Sequence, residues 1–177
     1  MRTLWDLIPR RRVEAVAVEA LRSRAVVSSK QGAAAARYEA VARLMLSEYG
    51  VRVRKWRSGT SGVAWQLAYA DGRVARLIEA PRPKGPISAA VFLHEIGHHA
   101  IGFGTYKPRC LEEYYAWRFA LEQMRAHGLN ITPAVHRRVD GALRYAVAKA
   151  RRRGLKVVPM ELRTYDGAGP VTPLSLE

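Results

Sequence analysis

The segment from Ala89 to His98 constrains the fold of this chain more than any other. An apolar run, Ala89 to Leu93, leads directly into His94-Glu95-Ile96-Gly97-His98. The apolar residues before the motif indicate a buried helix. Because buried ionisable side chains need partners, the two histidines and the glutamate require polar groups from elsewhere in the chain. The fold therefore has to bring such groups to this helix.

The composition indicates one globular domain of ordinary size. The chain has 177 residues, of which 49% are hydrophobic and 25% charged, so it can bury a core without disulfides. Its one cysteine, Cys110, excludes an internal disulfide and zinc sites built from cysteine pairs. No apolar run approaches the ~20 residues of a membrane span, and acidic residues interrupt the stretch after the basic N-terminal residues. We therefore expect a cytoplasmic protein without a membrane partner.

Two helices and a small sheet are predicted before the histidine segment. Apolar residues recur at helical spacing in Val13–Leu21 and Gly32–Tyr49. Strand-like patterns follow in three segments: Val51–Trp56, Val63–Tyr69 and Arg73–Ile78. Because Asp71-Gly72 is typical of a hairpin turn, we predict three short antiparallel strands. The edge of the third strand either accepts an extended peptide or is an ordinary edge guarded by arginines.

Helices are predicted for most of the remaining chain. They begin and end near Ser88 and Ala100, Arg109 and His127, and Thr132 and Arg153. A further strand is predicted at Leu155–Leu162, and residues 164–177, which are rich in glycine and proline, are predicted to be a flexible C-terminal tail. The predicted fold class is α+β, with a single domain at residues 1–163.

His94, Glu95 and His98 form the pattern H-E-x-x-H, which on a helix builds one side of a metal site. At this spacing the two imidazoles lie on the same helical face, about one turn apart, with Glu95 beside them. Catalytic zinc takes three protein ligands and keeps a fourth position for water. Glu95 is the predicted general base, taking a proton from water and passing it to the leaving amine. The alternative is a surface helix that carries these residues by chance, and the apolar context argues against it.

The third zinc ligand is predicted to come from the following helix. A metzincin would have glycine and histidine where this chain has Ile101 and Gly104, so that class is excluded. Glu112 and Glu113 stand at the start of the next predicted helix. We favour Glu113, because Ala116 follows it at helical spacing and lets the helix pack closely over the histidines. For the other glutamate, the positive N-terminal end of the helix is sufficient explanation.

The run His-Glu-Ile-Gly-His-His at 94–99, followed by a loop and Glu-x-x-Ala-x-x-Phe-Ala, resembles the ImmA/IrrE-type zinc metallopeptidases, a gluzincin-like family. The similarity covers about residues 50–125, and its specific part is the H-E-x-x-H pattern. It implies His94, His98 and Glu113 as zinc ligands, Glu95 as the base, and an endopeptidase acting on a protein such as a DNA-bound regulator. The family often has Glu where this chain has Tyr115 and Asn where it has Trp117.

The net charge of +15 indicates a second class of function. Six cations share one broad face of the last predicted helix: Arg137, Arg138, Arg144, Lys149, Arg151 and Arg152. Such a face attracts nucleic acid through counterion release, serves an acidic protein equally well, or is simply solvated. The alternative prediction is a basic nucleic-acid-binding or regulatory protein with a zincin-like fold and a structural or vestigial metal site.

Other chemically capable side chains have mainly structural interpretations. His99 is expected to point about 100° away from the ligand pair. His127 is predicted to stand at the C-terminal end of its helix, before the cap residue Gly128, where positive charge suits the helix dipole. Core packing is the prediction for His136 and a buried thiol that for Cys110. Three tyrosines are candidates for oxyanion stabilisation, with core packing as the simpler interpretation: Tyr106, Tyr114 and Tyr115.

Overall fold

A computed structural model of the chain describes residues 32–167, which form an α+β fold as predicted. The predicted helix Val13–Leu21 and residues 168–177 lie outside this range. The elements are helix α1 (32–48), strands β1 (Val51–Arg57), β2 (Val63–Ala68) and β3 (Val74–Pro81), helices α2 (Pro86–Ile101), α3 (Arg109–Ala126) and α4 (Pro133–Arg152), and a 3-10 helix (Met160–Tyr165). No helix in the described part of the chain has the length and apolar character needed to cross a membrane.

The sheet is mixed, so the prediction of three antiparallel strands is wrong for one pair. Its strand order is β1-β3-β2. The hairpin at Asp71-Gly72 joins β2 and β3 antiparallel, as predicted, but β1 lies parallel to β3. Glu79 of β3 favours this pairing, since it bonds Arg54 of β1 at 2.9 Å and Arg57 of β1 at 3.1 Å. Because β3 is central and paired on both sides, the prediction of a peptide-accepting edge there is also wrong.

Helix α2 is buried around its whole circumference in its middle section. All residues from Ala89 to His99 are buried, and the helix contacts β2, β3, α3 and α4. It begins at Pro86, earlier than predicted, with Gly85 as N-cap. The Ser88 hydroxyl lies within the first turn and accepts a hydrogen bond from the Gly85 N–H at 3.1 Å. Ser88, which we predicted as the N-cap of a helix beginning there, therefore lies inside the first turn, and that prediction is wrong.

A glycine lets α2 and α3 pack closely. A methyl group at Gly97 would lie 2.8 Å from the carbonyl oxygen of Ala116 and 3.2 Å from its Cα. Ala116 is itself fully buried. The two small residues therefore meet at the contact between the helices, as Ala116 led us to predict, and the start of α3 lies against the histidine-bearing end of α2.

The C-terminal part of the described chain differs from the prediction. Helix α4 itself agrees with the prediction, and four of its residues are buried at helical spacing: Val135, Val139, Leu143 and Val147. The difference lies after this helix. The predicted strand at Leu155–Leu162 is wrong: residues 155–159 are irregular and lead into the 3-10 helix. Pro159 explains this, because it lacks the N–H that a strand ladder uses. The buried Tyr165 ends the 3-10 helix just inside the predicted tail, whose boundary at 164 stays a prediction.

Candidate metal centre

Three side chains from two helices converge on one point. Oε2 of Glu113 lies 3.3 Å from Nε2 of His94 and 3.7 Å from Nε2 of His98. One ligand atom from each residue lies within 4.8 Å of the other two. The structure therefore brings together the three residues predicted as zinc ligands, in an arrangement that can hold a metal ion.

Glu112 and Glu113 have different roles in this arrangement. Nδ1–H of His98 donates to Oε1 of Glu112 at 3.1 Å, and the Gly104 N–H donates to Oε2 of Glu112 at 3.0 Å. Glu112 is only 1% exposed and lies outside the converging group. It fixes the orientation of the His98 ring, as carboxylates behind metal-binding histidines commonly do. Of the two candidates, Glu113 is therefore the one placed to bind a metal.

On the side that faces away from Glu113, the His94 ring is held by stacking rather than by a hydrogen bond. Its ring lies 4.1 Å from that of Trp117, centroid to centroid, at 20°. Within residues 32–167, no protein atom accepts a hydrogen bond from its Nδ1. Arg138 covers the Trp117 ring at 5.6 Å from its centroid and donates to the Thr60 carbonyl at 3.1 Å. We did not predict this role for Trp117, although this residue follows Glu113 by one helical turn and so shares its face.

His94 and Glu113 are held in the protonation states that a divalent cation needs, whereas a metal would have to displace a proton from His98. Burial lowers the pKa of His94 to about 4, so its ring is neutral at pH 7. Burial opposes ionisation of Glu113, but hydrogen bonds from His94 and His98 outweigh it and lower the pKa of this carboxyl group. Burial would likewise lower the pKa of His98, but the negative charge of the Glu113 carboxylate, 3.7 Å from Nε2, raises it.

Hydrogen bonding shows why this group fits a metal. Since Nδ1–H of His98 donates to Glu112, a neutral His98 directs the lone pair of Nε2 towards the Glu113 carboxylate. Two acceptors that face each other require a proton or a metal cation between them. Two imidazoles and one carboxylate are a ligand set that zinc takes at catalytic sites, so the residues present fit zinc.

Glu95 lies buried beside the cluster, in a position that depends on a glycine. Its side chain is 5% exposed, and burial raises its pKa to about 7. A methyl group at Gly62, immediately before β2, would lie 2.4 Å from Oε1 of Glu95. Gly62 therefore leaves the space that Glu95 occupies. This role of Gly62 is not predictable from the sequence, because no local pattern connects a loop glycine with a residue on a later helix.

A cleft of about 890 Å³ opens at this point. It is lined at one end by Ser61, Gly62, His94, Glu95 and Glu113. From there it extends between the start of α3 and one face of α4, lined by Arg109, Cys110, Arg138, Ala142, Ala146, Lys149, Ala150 and Arg153 among others. The volume is that of a pocket for a small molecule or a peptide segment. Glu95 thus borders the cleft despite its burial, as does the partly exposed Glu113.

The other candidate side chains have structural positions. His99 Nε2–H donates to the Leu77 carbonyl at 3.1 Å, so His99 ties α2 to β3 and lies outside the cluster, as predicted. His127 lies at the C-terminal end of α3, directly before Gly128, as predicted, although His127 itself is the C-cap. His136 is partly exposed on α4 rather than in the core. None of the three tyrosines named above lines the cleft; Tyr145 of α4 does. Cys110 is a buried thiol at the cleft wall, as predicted, and burial raises its pKa.

The cations predicted on one face of α4 are divided between different surroundings. Arg144 bonds the Gly167 carbonyl, and Arg151 pairs with Asp166. Arg138 and Lys149 line the cleft, whereas Arg137 and Arg152 are exposed outside it. The predicted basic stripe is therefore interrupted, and nucleic-acid binding through this helix stays a prediction.

Comparisons of the chain with protein-family models, with curated proteins and with solved structures found no match. The resemblance to ImmA/IrrE-type peptidases therefore rests on the H-E-x-x-H motif and on the order of the elements around it. Zinc as the metal, peptidase activity and the family itself stay hypotheses that the geometry of the candidate centre has to support.

Proposed function

We propose that this chain is a gluzincin-like, zinc-dependent endopeptidase that acts on a protein substrate in the cytoplasm. One observation carries the proposal: His94, His98 and Glu113 converge within ligand distance beside a buried glutamate, at the end of an open cleft. A structural zinc site closes its coordination with four protein ligands, whereas this group offers three and faces a cleft. The single buried cysteine agrees with a reducing compartment.

The chain's own residues supply the proton transfers of peptide hydrolysis. Zinc bound by His94, His98 and Glu113 would act as a Lewis acid that polarises a peptide carbonyl and makes water nucleophilic at neutral pH. The carboxylate of Glu95 accepts the proton of the attacking water and returns it to the nitrogen of the leaving amine. Burial raises the pKa of Glu95 to about 7, and the positive charge of a bound zinc ion would lower it again, towards the ionised form that accepts a proton.

The sheet edge next to Glu95 offers a position for the substrate. Strand β2 is an edge strand, and it begins directly after Gly62, which contacts Glu95. An extended peptide that pairs with the outer edge of β2 would pass over the start of this strand and so approach Glu95. We assign the docking role to β2, in place of the edge that we predicted at β3.

Metal content and cleavage together test the proposal. The wild-type chain should bind about one zinc ion, as measured by elemental analysis, and cleave an unfolded protein such as casein. Glu95→Gln should retain zinc and lose cleavage, whereas Glu113→Ala should lose both. His136→Ala is the matched control, because this histidine lies outside the cluster. Full zinc content in Glu113→Ala, or cleavage by Glu95→Gln, would contradict the proposal.

Nucleic-acid binding is the second candidate, and the net charge of +15 is the observation that favours it. It would not require the metal centre. In that case duplex DNA should bind in the presence of a chelator, with an affinity that falls steeply with salt, and Glu95→Gln should have no effect. Chelator-resistant DNA binding without any peptide cleavage would favour this function over the first.

A further inference from the structure

The cleft extends well beyond the candidate metal centre, along helix α4. Its α4 wall begins at Arg138 and ends at Arg153, with intermediate lining residues one helical turn apart: Gly141, Ala142, Tyr145, Ala146, Lys149 and Ala150. At about 1.5 Å per residue, this wall is about 22 Å long. An extended peptide rises about 3.3 Å per residue, so about seven residues would span it. Peptide hydrolysis at the metal end uses only a small part of this length.

The far part of the α4 wall combines small residues with cations. Ala146 and Ala150 have small side chains, so the backbone of a bound peptide can approach the helix closely there. Lys149 and Arg153 stand beside them, and both are exposed. The carboxylates that line the cleft, Glu95 and Glu113, both belong to the metal end.

These two cations differ from the other cations of the cleft. Arg109 is neutralised by Glu112 and Glu113 at 3.2 Å each, and Arg138 bonds the Thr60 carbonyl. Within residues 32–167, no carboxylate pairs with Lys149 or Arg153. The helix C-terminus favours positive charge, but this holds equally for Arg152, which lies outside the cleft. Lys149 lies 5.9 Å from the centroid of the Tyr145 ring, which also lines the cleft, so Lys149 and Arg153 bring two positive charges without a carboxylate partner in residues 32–167 to this part of the cleft.

We propose that the α4 end of the cleft binds an acidic segment of a peptide, through ion pairs with Lys149 and Arg153. Glutamate or aspartate side chains a few residues from the scissile bond would complement these cations. This inference rests on the proposed function in one respect, namely that the ligand is a peptide chain. A peptide is favoured over a polynucleotide because the general base and the metal ligands stand at the other end of the same cleft.

Peptide binding to a non-cleaving variant tests this inference directly. The full-length Glu95→Gln protein is titrated with two fluorescently labelled eight-residue peptides, one rich in glutamate and one with each glutamate replaced by glutamine. Fluorescence anisotropy at physiological ionic strength should show about tenfold tighter binding of the acidic peptide. The preference should persist in a chelator, because the cations of α4 carry it and the metal does not.

Matched charge variants locate the interaction. Lys149→Gln and Arg153→Gln, each in the Glu95→Gln background, should weaken binding of the acidic peptide about threefold to tenfold. Arg152→Gln removes the same charge from the adjacent exposed position outside the cleft and should leave binding within about twofold of the parent. All these side chains are exposed, so far-UV circular dichroism should show an unchanged fold for each variant.

Three results would overturn the inference. The first is equal affinity for the acidic and glutamine peptides, and the second is an equal loss on replacing Arg152 and Arg153, which would indicate general attraction by net charge. The third is a thymidine oligonucleotide that displaces the acidic peptide at lower concentration than the unlabelled peptide does. If the zinc-loaded wild type fails to cleave any peptide while the acidic preference persists, the proposed function fails and the binding site stands.

Discussion

Replacing Gly97 by alanine tests the close contact that places Glu113 over the histidines. The added methyl group would lie 2.8 Å from the Ala116 carbonyl oxygen and 3.2 Å from Ala116 Cα. Both are backbone atoms, so no rotamer change can relieve the contact and the two helices have to separate. Because Glu113 lies one turn before Ala116 on the same helix, the separation should also move its carboxylate away from His94.

The magnitude follows from comparison with a second helical glycine. Gly141 lies within α4, and a methyl group there would have no neighbour within 4 Å. Gly141→Ala should therefore stabilise the protein by up to about 1 kcal/mol through helix propensity alone. Gly97→Ala gains the same propensity term but adds an overpacking cost of about 1–3 kcal/mol. The difference between the two variants thus isolates the cost of the contact between α2 and α3.

Urea denaturation in the presence of a chelator measures this difference, because bound metal would otherwise stabilise the native state. We expect Gly97→Ala to be at least about 1 kcal/mol less stable than Gly141→Ala, with equal m-values. Zinc affinity should fall in Gly97→Ala and stay unchanged in Gly141→Ala. Equal stability of the two variants would refute the close packing, and unchanged zinc affinity in a destabilised Gly97→Ala would refute its connection with the metal centre.

Three further predictions concern single positions. Glu112→Gln should weaken zinc binding about 10-fold to 100-fold in a competition titration, because it removes the carboxylate that orients His98; unchanged affinity would exclude that role. Gly62→Ala should retain zinc but lose cleavage of casein, since the methyl group displaces Glu95; full activity would show that Glu95 tolerates the shift. Burial raises the pKa of Tyr165 to about 12, so the unfolded state, with a pKa near 10, loses its proton first as the pH rises. Wild type should therefore lose about 1 kcal/mol more stability than Tyr165→Phe between pH 9 and 11, and parallel pH profiles would contradict this.

The parts of the fold that sequence predicted correctly depend on local patterns. Helices α3 and α4 have strong boundary signals, in the prolines at their starts and the glycines after their ends. The β2–β3 hairpin likewise follows from two turn residues, Asp71 and Gly72. The pairing of β1 has no such local signal. A strand that precedes a hairpin can join either of its outer edges, and the choice of β3 depends on contacts such as Arg54 with Glu79 that the sequence does not order in advance.

The candidate metal centre was predictable where residues of one helix share a face through their spacing in the sequence. His94 and His98 share a face of one helix, and Glu113 with Ala116 follows the same rule on the next. Trp117 follows Glu113 by four residues and so lies on the same face of α3. Its contact with His94 was therefore predictable by the same rule. The role of Glu112 was not predictable, because adjacent helical residues differ by about 100° and their targets depend on the position of α2.

The cleft shows why an amphipathic pattern is an incomplete guide to helix surroundings. The periodicity of α4 indicates its buried positions correctly, at Val139, Leu143 and Val147. It also groups Ala142, Ala146 and Ala150 with this apolar side, yet these residues line the cleft. An amphipathic pattern assigns each residue either to the core or to solvent, so it cannot identify residues at a helix edge that borders a cavity. Small residues beside cations at one helical edge are the pattern such a wall produces, and here it continues from Arg138, next to the candidate metal centre, to Arg153. The assignment of an acidic ligand therefore depends on tertiary structure, although every residue that carries it is visible in the sequence.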